Sequence, residues 1–268
     1  MMIQSHKRLL LTGAAGALGQ QLRHRLAANC QILRLSDRVA FGPAQDREEI
    51  VLADLSDGPA VLALMQDVDA VLHLGGVSTE AAFEPILQAN IVGAYNLYEA
   101  ARKQGTRRVV FASSNHVTGF YRQSETIDTG QAPRPDGLYG LSKAFGENLA
   151  RLYFDRYGIE TACVRIGSSF PEPRDRRMLA TWLSFDDLYR LVTACLSTPV
   201  LGHSIIFGMS NNAVTWWDNT RARHIGYVAQ DSSDNFRPAV YGRTPPPDID
   251  DPAVQYQGGA FVRTGPFE

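Results

Sequence analysis

The feature that most constrains the fold of this chain is a glycine-rich turn directly after a short apolar run. Residues 8–12 read Arg-Leu-Leu-Leu-Thr and lead into Gly13-Ala-Ala-Gly16-Ala-Leu-Gly19, after which Leu22 and Leu26 recur at helical spacing. This order of strand, glycine turn and helix lets the backbone approach a pyrophosphate closely and directs the N-terminus of the helix at the phosphates. The segment therefore predicts a dinucleotide-binding unit.

A carboxylate stands at the end of the second predicted strand. Residues 31–36 form this strand, and Asp37 follows it, eighteen positions after Gly19. A carboxylate at this place accepts hydrogen bonds from the adenosine ribose hydroxyls and repels a 2′-phosphate, which favours NAD over NADP. Arg38 comes next and could accommodate a phosphate, so NADP stays open as the alternative.

Strand-like and helix-like segments alternate along most of the chain. The predicted strands are 8–12, 31–36, 49–53, 69–74, 107–113, 160–166 and 203–207, and the predicted helices are 17–28, 58–67, 83–104, 138–157 and 185–197. Alternation of this kind with largely apolar strands predicts an α/β fold, a Rossmann-type doubly wound parallel sheet covered on both faces.

The last third of the chain differs in character. From Pro171 onward, prolines, Trp216-Trp217 and Thr244-Pro-Pro-Pro-Asp248 replace the regular alternation. We therefore expect residues 1–170 to form an NAD-binding domain that carries the catalytic groups. Residues 171–268 should form a small, loop-rich substrate lobe packed on the same domain, with the last sheet elements included. A disordered tail from residue 244 is the alternative, which its aromatic residues disfavour.

Composition and charge argue against several classes of partner. The 268 residues carry 26 basic and 28 acidic groups, a formal net charge of −2, which gives no electrostatic reason to expect nucleic acid or an anionic membrane. Three widely spaced cysteines without a C-x-x-C pair favour reduced thiols, and no histidine pair has metal-ligand spacing. Neither a signal peptide nor a membrane-spanning run is visible, so we expect a soluble, cytoplasmic protein without a metal site.

A second motif places a phenol and an ammonium on one face of a predicted helix. Tyr139 and Lys143 are one helical turn apart. A cation held beside a phenol favours the phenolate, which would make Tyr139 a base near neutral pH although a free phenol has a pKa of about 10. The spacing also arises by chance in surface helices, so it needs support from elsewhere in the chain.

Support comes from the polar residues that follow the predicted strand 107–113. Ser114, Asn115 and His116 stand where this strand ends, and ligands of open α/β sheets bind beyond the carboxyl ends of strands. Ser113 should point the opposite way, because side chains alternate along a strand. Residues 114–116 are therefore candidate contacts for a substrate, with a simple polar turn as the alternative.

Together these motifs resemble the extended short-chain dehydrogenase/reductase superfamily. The resemblance is carried by the glycine turn, Asp37, Asp54-Leu55, His73-Leu-Gly-Gly76, Asn90, Ser114, Tyr139 and Lys143. Within that superfamily the chain is similar to the uronate dehydrogenases, over nearly its whole length. The segments that carry this likeness are Ala112-Ser-Ser-Asn-His116, Pro133-Arg-Pro-Asp-Gly-Leu-Tyr139, Arg165-Ile-Gly-Ser168 with Pro171-Glu-Pro173, Arg177-Met-Leu, Trp216-Trp-Asp-Asn219, Thr244-Pro-Pro-Pro-Asp248 and Gln257-Gly-Gly-Ala-Phe261.

The resemblance implies NAD-dependent oxidation of the anomeric carbon of D-galacturonate or D-glucuronate to an aldarolactone. Tyr139 would take the C1 hydroxyl proton, Lys143 would lower the pKa of that tyrosine and contact the nicotinamide ribose, and Ser114 would steady the reacting oxygen. Asn90 would help a proton relay through water, although a locally bonded helix residue fits equally well. His73 is expected to be a core histidine beneath the cofactor.

The resemblance also implies two sets of binding residues. The cofactor set is Gly13, Ala15, Gly16, Ala17, Leu18, Gly19, Asp37, Arg38, Asp54, Leu55, Leu74, Gly75, Gly76, Asn90, Tyr139, Lys143 and Ile166. The substrate set is Ser78, Ser114, Asn115, His116, Tyr139, Ser168, Arg177 and Phe261. Arg177 would bind the carboxylate, because a guanidinium can bond both oxygens at once; from the residues alone, Arg174 and Arg176 fit equally well.

Two other functions compete with this one. A nucleotide-sugar epimerase or dehydratase of the same superfamily is disfavoured by the short segment after Phe170, since such substrates usually need a larger C-terminal lobe. A dinucleotide-sensing regulator without catalysis would not need Tyr139, Lys143 and Ser114 together. By analogy with the superfamily we expect a homo-oligomer.

Overall fold

A seven-stranded parallel sheet forms the centre of the molecule, and the computed structural model describes residues 6–265 and 267. Its strands are β1 (His6–Thr12), β2 (Cys30–Ser36), β3 (Glu48–Ile50), β4 (Ala70–His73), β5 (Arg108–Ser114), β7 (Glu160–Ile166) and β8 (His203–Gly208). They lie in the order β3-β2-β1-β4-β5-β7-β8, all parallel. A small parallel pair, β6 (Ile127–Asp128) and β9 (Trp217–Asp218), lies outside this sheet. The predicted doubly wound sheet is confirmed.

Helices cover both faces of the sheet. They are α1 (Ala17–Leu26), α2 (Gly58–Leu64), α3 (Phe83–Ile86), α4 (Gly93–Gln104), α5 (Leu138–Tyr157), α6 (Met178–Thr181), α7 (Phe185–Ser197), α8 (Arg237–Arg243) and α9 (Pro252–Gln255). Short 3₁₀ turns occupy Ala27–Asn29, Asn115–Thr118, Thr220–Ile225, Ser233–Phe236 and Gly259–Arg263. None of the helices in the described part of the chain is both long and apolar enough to cross a membrane.

The alternation of side chains in β1 shows why two apolar layers form. Leu9 and Leu11 face one side of the sheet and pack with Leu22 of α1 and with α7, whereas Leu10 faces the other side and packs with Leu97 of α4. All five leucines are fully buried. Burial of each such side chain contributes roughly 1.5–3 kcal/mol, so the apolar strands anchor both helical layers.

The order in which strands are added to the sheet reverses beside β1. The chain builds β1, β2 and β3 outward on one side and then returns to place β4 and β5 on the other. At such a switch point the loops after neighbouring strands diverge and leave a crevice at the carboxyl ends of the strands. The crevice between β1 and β4 is therefore where a ligand site is expected.

Two predicted elements differ in detail from the structure. The predicted helix 83–104 is helical throughout but contains a π-helical turn over Leu87–Val92, between α3 and α4. The predicted strand 49–53 is assigned only over β3, yet Val51 N still donates to Leu35 O in β2 and Ala53 N to Asp37 O just after it, so the pairing continues to residue 53.

The segment after residue 170 contributes to the sheet as well as to loops. Helix α7 packs against α1 and β5, and β8 pairs with β7 at the sheet edge. The rest of the segment consists mainly of short turns and helices, including α8 and α9. The division near residue 170 stays a prediction, and residues 1–5, 266 and 268 of the two predicted units lie outside the described residues.

Candidate active site

A cavity of about 970 Å³ opens at the carboxyl ends of β1, β4, β5 and β7. Every residue predicted to contact cofactor or substrate lines it, apart from Asn90. These lining residues are Gly13, Ala15, Gly16, Ala17, Leu18, Gly19, Asp37, Arg38, Asp54, Leu55, Leu74, Gly75, Gly76, Ser78, Ser114, Asn115, His116, Tyr139, Lys143, Ile166, Ser168, Arg177 and Phe261. The fold thus brings the two predicted sets into one cavity.

The glycine turn has the geometry that a bound phosphate needs. Gly13 has φ +70°, and a Cβ there would lie 2.8 Å from the backbone nitrogen of Gly75. A Cβ on Gly19 would lie 2.2 Å from the carbonyl oxygen of Gly13. Helix α1 begins after Gly16 without a side-chain cap, so its first N–H groups are available to an anion at the cavity. The turn therefore fits a dinucleotide.

Asp37 connects the end of β2 to this turn. Its Oδ2 accepts a hydrogen bond from Ala15 N at 3.0 Å, and its Oδ1 accepts one from Arg38 N at 2.8 Å. The carboxylate is thereby fixed beside the glycine turn, where adenosine ribose hydroxyls can donate to it. The residues present fit NAD.

Tyr139 and Lys143 lie close together near the N-terminus of α5, and both are almost completely buried. Lys143 Nζ lies 5.6 Å from the ring centroid of Tyr139. Burial raises the pKa of Tyr139 to about 12, against which a hydrogen bond with Ser114 acts in the opposite direction. Burial also lowers the pKa of Lys143 to about 8. In this structure desolvation of the phenolate outweighs the Ser114 hydrogen bond and leaves the pKa of Tyr139 above that of a free phenol, while the lowering effect of Lys143 stays a prediction.

Arg177 is the arginine of its loop that reaches the cavity. Its Nε donates to Gln257 O at 2.6 Å and its Nη1 to Ser168 Oγ at 3.4 Å. Asn115, with its amide nitrogen donating to Ile166 O, accepts from Arg177 Nη2 at 2.8 Å. The guanidinium is thus held in the wall of the cavity by three protein acceptors.

The two competing arginines point elsewhere. Arg174 lies over the ring of Phe170, 4.0 Å from its centroid. Arg176 lies over Tyr241 and donates to Thr244. Neither lines the cavity, so the geometry favours Arg177 among the three.

His116 is fixed on two sides beside Tyr139. Its Nδ1 lies 2.7 Å from Asp136 Oδ2, and its ring stacks on Phe261 with 3.7 Å between centroids. Its ring also meets that of Tyr139 edge-on at 5.9 Å. Burial lowers the pKa of His116, and Asp136 opposes that effect. Because Asp136 engages Nδ1, Nε2 is the ring nitrogen left for a ligand.

Asn90 lies behind the cavity wall. Its Oδ1 accepts from Val77 N at 2.8 Å, and its Nδ2 donates to Val77 O at 3.0 Å and to Ser142 Oγ at 2.9 Å. The side chain lies in the π-helical turn and ties it to the Gly76-Val77 segment, which does line the cavity. His73 is a buried core histidine 2.7 Å from Thr12 Oγ1, and burial lowers its pKa to about 3.

Comparison with known proteins agrees with this geometry. Residues 9–184 match the model of the NAD dependent epimerase/dehydratase family. A uronate dehydrogenase of Pseudomonas putida is 57% identical over 261 residues, which covers 97% of each chain, and one of Agrobacterium fabrum is 53% identical over 256 residues, covering 96% of this chain and 97% of that one. The chain belongs to the uronate dehydrogenase family. This confirms the predicted family and the class of NAD-dependent oxidoreductase, which excludes the non-catalytic regulator.

A solved structure of the family superimposes closely on the chain. It is the crystal structure of a mutant uronate dehydrogenase from Agrobacterium tumefaciens complexed with NAD, with a TM-score of 0.96 at 51% identity, covering 98% of this chain and 100% of that one. The fold of this uronate dehydrogenase family member is therefore shared along essentially its whole length.

Glu80 is a site residue that the sequence did not reveal. Its Oε1 accepts from Leu138 N at 2.8 Å and its Oε2 from Tyr139 N at 2.9 Å, so it caps α5 from 58 and 59 positions away. Gly137 at the N-cap offers no side chain for this task. A carboxylate at a helix N-terminus also interacts favourably with the positive end of the helix dipole. Glu80 thereby joins the loop that carries Ser78 to the helix that carries Tyr139.

Proposed function

We propose that this protein oxidises the anomeric C1 hydroxyl of a hexuronate, D-galacturonate or D-glucuronate, to the aldarolactone, with NAD as its cofactor. The observation that carries the proposal is that Arg177 lines the same cavity as Tyr139, Lys143 and the glycine turn. A cation with planar geometry beside a buried acid–base pair suits an alcohol that also bears a carboxylate.

Arg177 is prepared to bind that carboxylate through two nitrogens. A guanidinium has five N–H groups, and the described residues engage one on Nε, one on Nη1 and one on Nη2. One N–H on each Nη is left, which is the arrangement that a carboxylate accepts in a bidentate manner.

Tyr139 is the proposed base. It takes the proton of the C1 hydroxyl, and Ser114 donates to the reacting oxygen. NAD, when bound, supplies the acceptor for the hydride that leaves C1. Loss of proton and hydride leaves a carbonyl at C1, and since C1 is bonded to the ring oxygen the product is a lactone.

We propose that Lys143 and Tyr139 share a proton. Burial makes phenolate formation difficult and makes the ammonium give up its proton readily. In the proposed reactive form one proton has left the pair and the remaining one stays on Lys143, so that a phenolate lies beside an ammonium. Lys143 is also proposed to contact the nicotinamide ribose.

The remaining polar groups are proposed to recognise sugar hydroxyls. Ser78, Asn115, His116 and Ser168 line the cavity and can donate or accept, as a polyol requires. Phe261, stacked on His116, is proposed to close the pocket over the sugar.

The activity is tested by mixing purified protein with galacturonate or glucuronate and NAD, and then with NADP, while NADH or NADPH absorbance is followed. We expect reduction of NAD with at least one uronate, and a flat trace with both sugars would overturn the proposal. Arg177→Ala should raise KM for the uronate far more than it changes NAD affinity. Arg174→Ala, on the same loop but outside the cavity, is the matched control and should leave both unchanged.

The homo-oligomeric state and the cytoplasmic location also remain proposals. Cys30, Cys163 and Cys195 are buried and free, which is consistent with a reducing compartment. Light scattering on purified protein measures the oligomeric state directly, and a mass of one chain would contradict the expectation.

A further inference from the structure

The arginine of the site is held by a segment far along the chain, residues 257–261, named here the C-terminal strap. Arg177 Nε donates to the carbonyl oxygen of Gln257 at 2.6 Å. Gly259, with φ +64°, lies against the same side chain, since a Cβ there would be 2.4 Å from Arg177 Cδ. The strap therefore contacts Arg177 in two ways. The carbonyl group of Gln257 accepts a hydrogen bond from it, and Gly259, which has no side chain, leaves room for it.

Gln257 is anchored more firmly than its neighbours. Its side chain is completely buried, and its Nε2 donates to Arg122 O at 3.0 Å and to Glu125 O at 2.9 Å. Its Oε1 accepts from Trp217 Nε1 at 2.9 Å, and its backbone N donates to Tyr121 O at 2.8 Å. These buried bonds fix the position of the Gln257 carbonyl group.

The rest of the strap faces the cavity. Gly258 N donates to Gly119 O at 2.9 Å, and Gly258, Ala260 and Phe261 line the cavity. A Cβ on Gly258 would lie 1.9 Å from Asp136 Oδ2, so the strap passes directly over that carboxylate. The strap is thus one wall of the site, and Gln257 is the point where it is attached.

The orientation of the guanidinium depends on this attachment. A planar group bonded through Nε, Nη1 and Nη2 cannot rotate without breaking at least one of these bonds, and the Nε bond is the shortest of the three. If the Gln257 carbonyl moves, the two remaining N–H groups no longer point at one carboxylate together. Bidentate binding would then be reduced to a single, weaker contact.

We propose that Gln257 is a positioning residue that sets the preference for a sugar acid by holding Arg177 in the orientation that binds a carboxylate. The proposal rests on the proposed function, in which Arg177 binds that carboxylate. Gln257 does not itself line the cavity and acts through Arg177, which does. Its effect belongs to uronate binding, and the hydride-transfer step is left intact.

The test is Gln257→Met, which keeps the size of the side chain but removes its three side-chain hydrogen bonds. We expect KM for the uronate to rise at least about tenfold, with kcat and the dissociation constant of NAD within about threefold of wild type. Gln255→Met is the matched control, because the Gln255 side chain bonds Ile249 O and Arg122 Nη1 away from the site. An unchanged KM in Gln257→Met, or equal losses in kcat and NAD affinity, would overturn the proposal.

A double-mutant cycle shows whether Gln257 acts through Arg177. In an Arg177→Ala background, Gln257→Met should change kcat/KM for the uronate less than about twofold, because the group it positions is gone. Effects that multiply in the double variant would contradict the proposal.

A second variant covers the case in which Gln257→Met does not fold. Gly259→Ala leaves the anchoring bonds of Gln257 in place but pushes a methyl group against Arg177 Cδ. It should raise KM for the uronate in the same selective way, and soluble Gly259→Ala with a normal KM would overturn the proposal. Failure of the proposed function looks different: wild type would not oxidise uronates, or Arg177→Ala would leave KM unchanged.

Discussion

Nδ1 of His116 lies 2.7 Å from Oδ2 of Asp136, whose side chain has no exposed surface. No described residue bonds the other oxygen of that carboxylate. Asp136 thus engages the histidine ring through one oxygen of its carboxylate. The pair fixes both the ring orientation and the tautomer of a residue that lines the cavity beside the proposed base.

Replacing Asp136 should test this relationship. In Asp136→Asn a neutral amide takes the place of the charged acceptor, and loss of a charge-assisted hydrogen bond is worth about 1.5–3 kcal/mol, roughly 10–100-fold in kcat/KM for the uronate. NAD affinity, measured by titration calorimetry, should stay the same. Asp155→Asn, which removes a partly exposed ion pair on α5, is the control. Equal kinetics for the two variants would contradict a role for Asp136.

The pH dependence of kcat/KM should report the Tyr139–Lys143 pair. With the pKa of Lys143 at about 8 and that of Tyr139 at about 12, the pair loses its first proton near pH 8. Activity should therefore rise about tenfold per pH unit below about pH 8. In Lys143→Met only the phenol is left, and the rise should move at least about two pH units higher. Lys103→Met, an exposed lysine of α4, should keep the wild-type profile.

Lys143 should also lower the free energy of unfolding. Its pKa is 10.5 in the unfolded chain and about 8 when folded, so below pH 8 the fold carries a buried charge at a cost of about 3 kcal/mol. We expect Lys143→Met to be more stable than wild type in urea denaturation at pH 7 by up to this amount. Between pH 8 and 10.5 the folded protein loses the proton before the unfolded chain does, so the advantage should fade. An advantage that does not change with pH would argue against a desolvated ammonium.

Glu80 should be needed for the placement of Tyr139. In Glu80→Gln one acceptor oxygen becomes a donor facing backbone N–H groups, and the charge at the N-terminus of α5 is lost. We expect a loss of about 1–2 kcal/mol in unfolding free energy and a lower kcat. Glu84→Gln, on the exposed side of α3, is the control and should leave both quantities unchanged.

Asp37 should control the choice between NAD and NADP. In Asp37→Ser the carboxylate that repels a 2′-phosphate is gone, and Arg38 remains beside the ribose position. The ratio of kcat/KM for NAD to that for NADP should fall at least about tenfold. Asp46→Ser, in an exposed loop, is the control, and an unchanged ratio in Asp37→Ser would show that other groups set the preference.

The cofactor half of the site could be predicted because its parts are close in sequence. The strand, the glycine turn and helix α1 form one continuous unit, and Asp37 bonds Ala15 only 22 positions away. The apolar strands likewise predict a parallel sheet that is buried on both faces.

The sugar half could be predicted only in part, because its residues are assembled by tertiary contacts. Family resemblance alone distinguishes Arg177 from Arg174 and Arg176 in the sequence, and of the three only Arg177 lines the cavity. Glu80 accepts from a backbone N–H 58 positions away, and the backbone carbonyl of Gln257 accepts from the Arg177 side chain 80 positions away, so neither leaves a spacing pattern to detect. The spacing of Tyr139 and Lys143 does not reveal the burial that raises the pKa of Tyr139, because the degree of desolvation depends on packing from several elements.

Because the C-terminal strap lies near the end of the sequence, one wall of the site is translated late. A ribosome adds residues from Gly13 toward Phe261, and the lining residues of the dinucleotide cradle, through Ile166, all emerge before the strap is translated. The acceptor for Arg177 Nε comes 80 residues after the arginine itself. The nascent chain therefore contains every lining residue of the nucleotide cradle before it contains the strap, and the sugar-acid pocket cannot be complete until the strap has been translated.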